Sequence, residues 1–181
     1  MKINRFFAIA IFVSSILLTA CDGNTPLMRA VLDENKSAVE RMLESGTDIN
    51  ERNSYGWTAL SHAARAGNLE VVKFLIEKGA DVNVTDANKW TPLIRAAQKG
   101  HSHVVQYLID KGANKNSATD LGWTALMWAT MREKLETVKV LLKNKVDVNH
   151  QSKDGRSAIL IAITENNNDI LIVLQDAGAK P

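Results

Sequence analysis

The sequence predicts an all-α repeat solenoid of about five stacked helix–turn–helix units. Three observations carry that expectation. A period of 33 residues runs through Thr25, Thr58, Thr91 and Thr124, with Ser157 continuing it, and through Ala30, Ala63, Ala96, Ala129 and Ala162. Each period holds two short stretches with apolar residues at helical spacing. Helices this short are unstable alone, so each unit must bury its face on the next. The composition agrees: of 181 residues, 45% are hydrophobic and 23% charged, which is the globular range.

Residues 1–20 read as an address. Lys2 and Arg5 open the chain, and an apolar run from Phe6 to Leu18 follows, broken only by Ser14 and Ser15. Such a run matches the core of an export signal and is short for a membrane span. Leu18-Thr19-Ala20 then leads into Cys21, the only cysteine of the chain. One cysteine excludes an internal disulfide framework. Without residues 1–20 the 22 basic residues become 20, against 20 acidic. The basic pI near 8.7 thus belongs largely to the leader. A neutral remainder lacks the field that drives sequence-independent nucleic-acid binding, so no such partner is expected.

The units follow as 22–53, 54–86, 87–119, 120–152 and 153–181, and the third shows their logic. Thr91-Pro92 starts a helix, with a hydroxyl to cap free N–H groups and a proline suited to the first turn. Leu93, Ala96 and Ala97 give that helix a narrow apolar face. Gly100 turns the chain, and a second helix from about Ser102 to Lys111 carries Val104, Val105, Leu108 and Ile109. Gly112 ends it, in a column with Gly46, Gly79 and Gly178. Asn50, Asn83, Asn116 and Asn149 form a further column. Asp48, Asp81 and Asp147 read as turn caps. The final unit adds Asn166, Asn167, Asn168, Asp169, Gln175 and Asp176, the polarity of a terminal cap.

These columns resemble the ankyrin repeat, most closely at Thr91-Pro92-Leu93 and Gly79-Ala80-Asp81-Val82-Asn83. The family histidine after the leucine is absent. Met28, Ser61, Ile94, Met127 and Leu160 stand there, so apolar packing must largely replace its hydrogen bond. In the fourth unit Glu133 and Lys145 stand where glycine is expected. A shifted turn, or Asn144, is expected to absorb that change. The resemblance implies a monomeric solenoid that binds another protein through its concave face. Carried over by position, that face comprises Tyr55, Trp57, Arg65, Trp90, Gln98, Lys99, Leu121, Trp123, Met131 and Arg132, with Trp128 at its border. The tryptophans precede the repeat threonine by one residue. Their column reads either as hot-spot residues at the turn tips or as packing over those turns.

The segment ending at Cys21 resembles the lipobox of bacterial lipoproteins. The resemblance implies lipid on Cys21 and a membrane anchor at the periplasmic face of the cell envelope, with Asp22 pointing to the inner membrane and the outer membrane as the alternative. No catalytic constellation, cofactor or metal site is expected. His101 and His103 sit close together in a turn without further ligands, and His62 and His150 stand apart. Phosphate loops and nucleophile elbows are missing. The function expected is therefore a membrane-anchored protein-binding module, for instance an immunity-type inhibitor of a toxin or enzyme. The alternative is a scaffold that holds an envelope or stress-response protein at the membrane.

Overall fold

A computed structural model describes residues 23–181. Residues 1–20, Cys21 and Asp22 lie outside the described residues. Among the described residues ten helices form five pairs: α1 (Pro26–Leu32) with α2 (Lys36–Glu44), α3 (Ala59–Ala66) with α4 (Leu69–Glu77), and α5 (Pro92–Lys99) with α6 (Ser102–Asp110). The series continues with α7 (Ala125–Met131) and α8 (Leu135–Lys143), then α9 (Ala158–Thr164) and α10 (Asn168–Asp176). Odd-numbered helices pack on one another as an inner layer, and even-numbered helices form an outer layer behind them. The only bridge of β type among the described residues is Ala118 with Thr124. The expected solenoid is the observed fold.

Local chemistry explains the repetition. Thr25, Thr58, Thr91, Thr124 and Ser157 each cap an inner helix by accepting the backbone N–H three residues on, at 3.2–3.4 Å. Pro26 and Pro92 occupy the first turn, where no N–H is needed. The inner helices approach closely because alanine sits at their contact: Ala63, Ala96, Ala129 and Ala162 are essentially inaccessible. Met28, Ile94 and Met127 are also fully buried, while Ser61 Oγ lies 3.2 Å from Thr58 Oγ1. Apolar packing therefore does replace the missing histidine in most units.

Two columns staple each unit to the next. Asp48, Asp81 and Asp147 accept the N–H two residues on, at 2.9–3.1 Å, which shapes the turn as expected. The asparagine column then reaches across: Asn50 Oδ1 accepts from Asp81 N–H, Asn83 from Asn114, Asn116 from Asp147, and Asn149 from Lys180, all at 2.8–2.9 Å. Successive fingers are joined by the N–H groups of Ala87, Asp120 and Lys153, which donate to the carbonyls of Tyr55, Asn88 and Leu121.

One expectation fails. Glu133 and Lys145 keep the left-handed backbone of the glycines they replace, with φ of 55° and 56°. No shifted turn absorbs the change. The reason is the hydrogen bonding of the helix ends: Glu133 N–H donates to Thr130 O and Lys145 N–H to Leu142 O, each at 2.9 Å. The Lys145 side chain fits as well, since a Cβ at the equivalent Gly79 or Gly112 would meet nothing within 4 Å. Asn144 does not take the left-handed role. Instead its Nδ2 donates to Val140 O at 2.8 Å and Gln106 Oε1 at 2.9 Å, which ties α8 to α6.

Candidate protein-binding surface

The face expected to bind divides into two parts, one packed inward and one presented to solvent. The tryptophans belong mostly to the first. Trp123 is buried at 7% exposure, and Trp57 and Trp90 are half-buried. The expectation that Trp123 lies on an accessible surface is thereby corrected. The side chains that fall five residues after each repeat tryptophan, His62, Arg95 and Trp128, pack on the indoles, and Arg95 and Trp128 each sit between two of them. Trp57 packs on His62 at 4.8 Å between ring centroids. Trp128 is wedged between Trp90 at 4.7 Å and Trp123 at 4.8 Å. The column is an interlocking stack, and burial of its large rings outcompetes projection into water.

Arg95 occupies the centre of this stack. Its guanidinium carbon lies 3.4 Å from the ring centre of Trp57 and 5.2 Å from that of Trp90. One terminal nitrogen donates to Asp86 Oδ2, and both side chains are nearly inaccessible. Asp86 Oδ1 meanwhile accepts from the backbone N–H groups of Asn88 at 2.8 Å and Trp90 at 2.9 Å. Asp86 thus shapes its own finger and neutralises the cation beneath it. Burial pulls the Arg95 guanidinium down to about 10, against the opposing pull of Asp86 and assisted by the like charge of Arg65. It remains charged at neutral pH.

Reading the tryptophan positions alone missed Arg95 and Asp86. The signal was available as a second 33-residue column, Arg29, His62, Arg95, Trp128 and Ile161, which mixes cations and aromatic rings on an otherwise apolar helix face.

The solvent-facing part holds the remaining expected residues. Tyr55 and Leu121 stand on finger tips at 64% and 65% exposure. Arg65, Lys99 and Arg132 are exposed at the C-terminal ends of α3, α5 and α7, beside half-buried Gln98 and Met131. Arg65, Gln98, Lys99 and Arg132 converge on one open depression of about 440 Å³, and Lys134 completes its wall. Lys134 was not anticipated. It occupies the position before an outer helix where Asn35, Asn68 and Asn167 cap the backbone, and it makes no such bond. His101, in the same column, donates from Nε2 to Arg65 O at 3.1 Å. That contact accounts for His101 structurally. Among the described residues no group of three or more His, Cys, Asp or Glu side chains is placed to hold a metal ion. Nor is any helix there long and apolar enough to cross a membrane.

A stack of helix pairs whose inner ends and fingers form one continuous face defines a repeat scaffold for macromolecular binding. The family follows from the sequence profile described as Ankyrin repeats (3 copies), which matches residues 8–86, 27–119, 81–152 and 112–181. The chain belongs to the ankyrin-repeat family. No individual curated protein matches it. Members of the family are typically protein-interaction modules without enzymatic activity, and a protein-binding role is the coarse reading that follows.

Proposed function

We propose that the protein is a membrane-anchored binding module of the bacterial envelope, held by lipid on Cys21 and presenting its concave face to another protein. An immunity-type inhibitor, which covers the working surface of a toxin or enzyme, is the form of action this reading favours. The observation that carries the binding half is the exposure of two large apolar finger tips, Tyr55 and Leu121, on a chain that also presents Arg65, Lys99 and Arg132 in one depression with no acid in its wall. Exposed aromatic and aliphatic side chains next to arginine are the composition of an interface centre.

The anchoring half is supported by Lys2, Arg5, the apolar run to Leu18 and the placement of Cys21. Thr25 is the fourth residue after Cys21, a reach of at most about 14 Å. Attached lipid would therefore keep the first unit at the bilayer surface, with Asp22 favouring the inner membrane. The test is affinity capture from the envelope with the wild-type chain beside Tyr55→Ala combined with Leu121→Ala. A specific protein lost from the double variant supports the reading. Capture that does not differ between the two chains refutes it. Fatty-acid labelling that persists in Cys21→Ser would refute the anchor.

A further inference from the structure

Charge along the ends of the inner helices changes sign twice. After α1 stand Asp33 and Glu34, and after α9 stands Glu165. Between them, units two to four present Arg65, Lys99, Arg132 and Lys134. Cations are favoured at helix C-termini by the backbone dipoles, and that alone could place some of them. It does not account for the acids at the same positions in the first and last units. Nor does pairing account for the cations: among the described residues none of these four is in an ion pair. The nearest acid in sequence, Glu133, points elsewhere, lining a separate depression with Glu165 and Asp169. The basic depression has no acid in its wall.

Four convergent cations without counter-charges are a site waiting for carboxylates. We propose that this depression receives a short acidic segment of the partner protein, a cluster of Asp or Glu bounded by neutral or basic residues. The proposal rests on the protein-binding reading and gives it a partner chemistry. The guanidinium groups of Arg65 and Arg132 present planar forks that match a carboxylate through two parallel hydrogen bonds. Lys99 and Lys134 act as point charges, and the Gln98 amide adds an uncharged donor to the same lining. The flanking acids set the length. A nucleic acid or an anionic bilayer carries negative charge far beyond three units, and would meet Asp33 and Glu34 on one side and Glu133, Glu165 and Asp169 on the other. A compact acidic cluster avoids both.

The test uses the full-length protein in non-ionic detergent and a fluorescent peptide of alternating Glu and Asp between serine flanks. Its partner probe has Gln and Asn in their place. Anisotropy should report binding of the acidic peptide alone, weakening as salt screens the site. Lys99→Glu with Arg132→Glu should weaken it about tenfold or more, because two attractions become repulsions. The same variant should gain affinity for a peptide of alternating Lys and Arg. Lys143→Glu, at the exposed end of α8, should leave binding unchanged. Equal binding of the neutral peptide, equal loss in Lys143→Glu, or equal competition by a single-stranded oligonucleotide or phosphatidylglycerol vesicles overturns the proposal. If the acidic peptide fails while a protein is still captured through Tyr55 and Leu121, the acidic specificity falls and the binding reading stands.

Discussion

Asp86→Asn should destabilise the protein by about 3 kcal/mol, far more than its near-isosteric change of shape implies. The carboxylate has two tasks, one per oxygen. Oδ1 accepts the N–H groups of Asn88 and Trp90, while Oδ2 meets the Arg95 guanidinium. An amide can keep only one of these. If its oxygen stays on the finger, its NH₂ faces the donors of Arg95; if it flips, two backbone donors lose their acceptor. In the first case the cation stays buried with no counter-charge, and breaking such a pair costs roughly 3–5 kcal/mol. The ring faces of Trp57 and Trp90 remain and offset about 1–2 kcal/mol of that loss. Urea unfolding followed by tryptophan fluorescence is a direct assay, since all four indoles lie in this stack or beside it. Adding Arg95→Met should restore more than half of the loss, because the unbranched chain fills the space between the indoles without a charge. A cost for Asp86→Asn below about 1 kcal/mol, or a double variant no more stable than the single, would refute the reasoning.

Three further outcomes are expected. Ala96→Leu, at a position with no accessible surface between α3 and α7, should overpack the seam and lower stability by about 1–3 kcal/mol in the same urea assay. Lys145→Gly should raise the unfolding midpoint, with a gain of about 0.5–1 kcal/mol, because a left-handed residue loses its Cβ strain and nothing else. Gly122→Ala should cost more than about 2 kcal/mol: φ is 80°, and the new Cβ would lie 2.9 Å from the Lys153 backbone nitrogen. Thermal melts unchanged in Gly122→Ala would mean that the fingers are free to separate.

The layout of the solenoid was legible because its determinants lie within one period. A threonine caps three residues ahead, an aspartate two, and the alanine column reports close helix approach without reference to any other column. The tryptophan stack was not legible in this way. Trp57 meets Arg95 38 residues later, so the contact joins two columns in different units, and a survey of one column at a time sees neither partner. Glu133 and Lys145 escaped for another reason. Residue preference argues against a left-handed glutamate or lysine, but the hydrogen bonds closing α7 and α8 outweigh that preference. The candidate surface was half visible: Arg65, Gln98, Lys99 and Arg132 were placed by position, whereas Lys134 stands where most units carry a capping asparagine.

The stacked column also grades the mechanical strength of the array. In the first unit Asn24 takes the place of the tryptophan, and its side chain meets Asn53 at 3.1 Å. In the last unit Arg156 does so, with its guanidinium 6.0 Å from the Trp123 ring centre. Aromatic interlocking is therefore concentrated between units two and four. Tension applied at either terminus should peel an end unit first, then stall where Trp57, Arg95, Trp90 and Trp128 grip one another. A pulled molecule would lengthen in steps, yet keep its central groove formed until the last and highest of them.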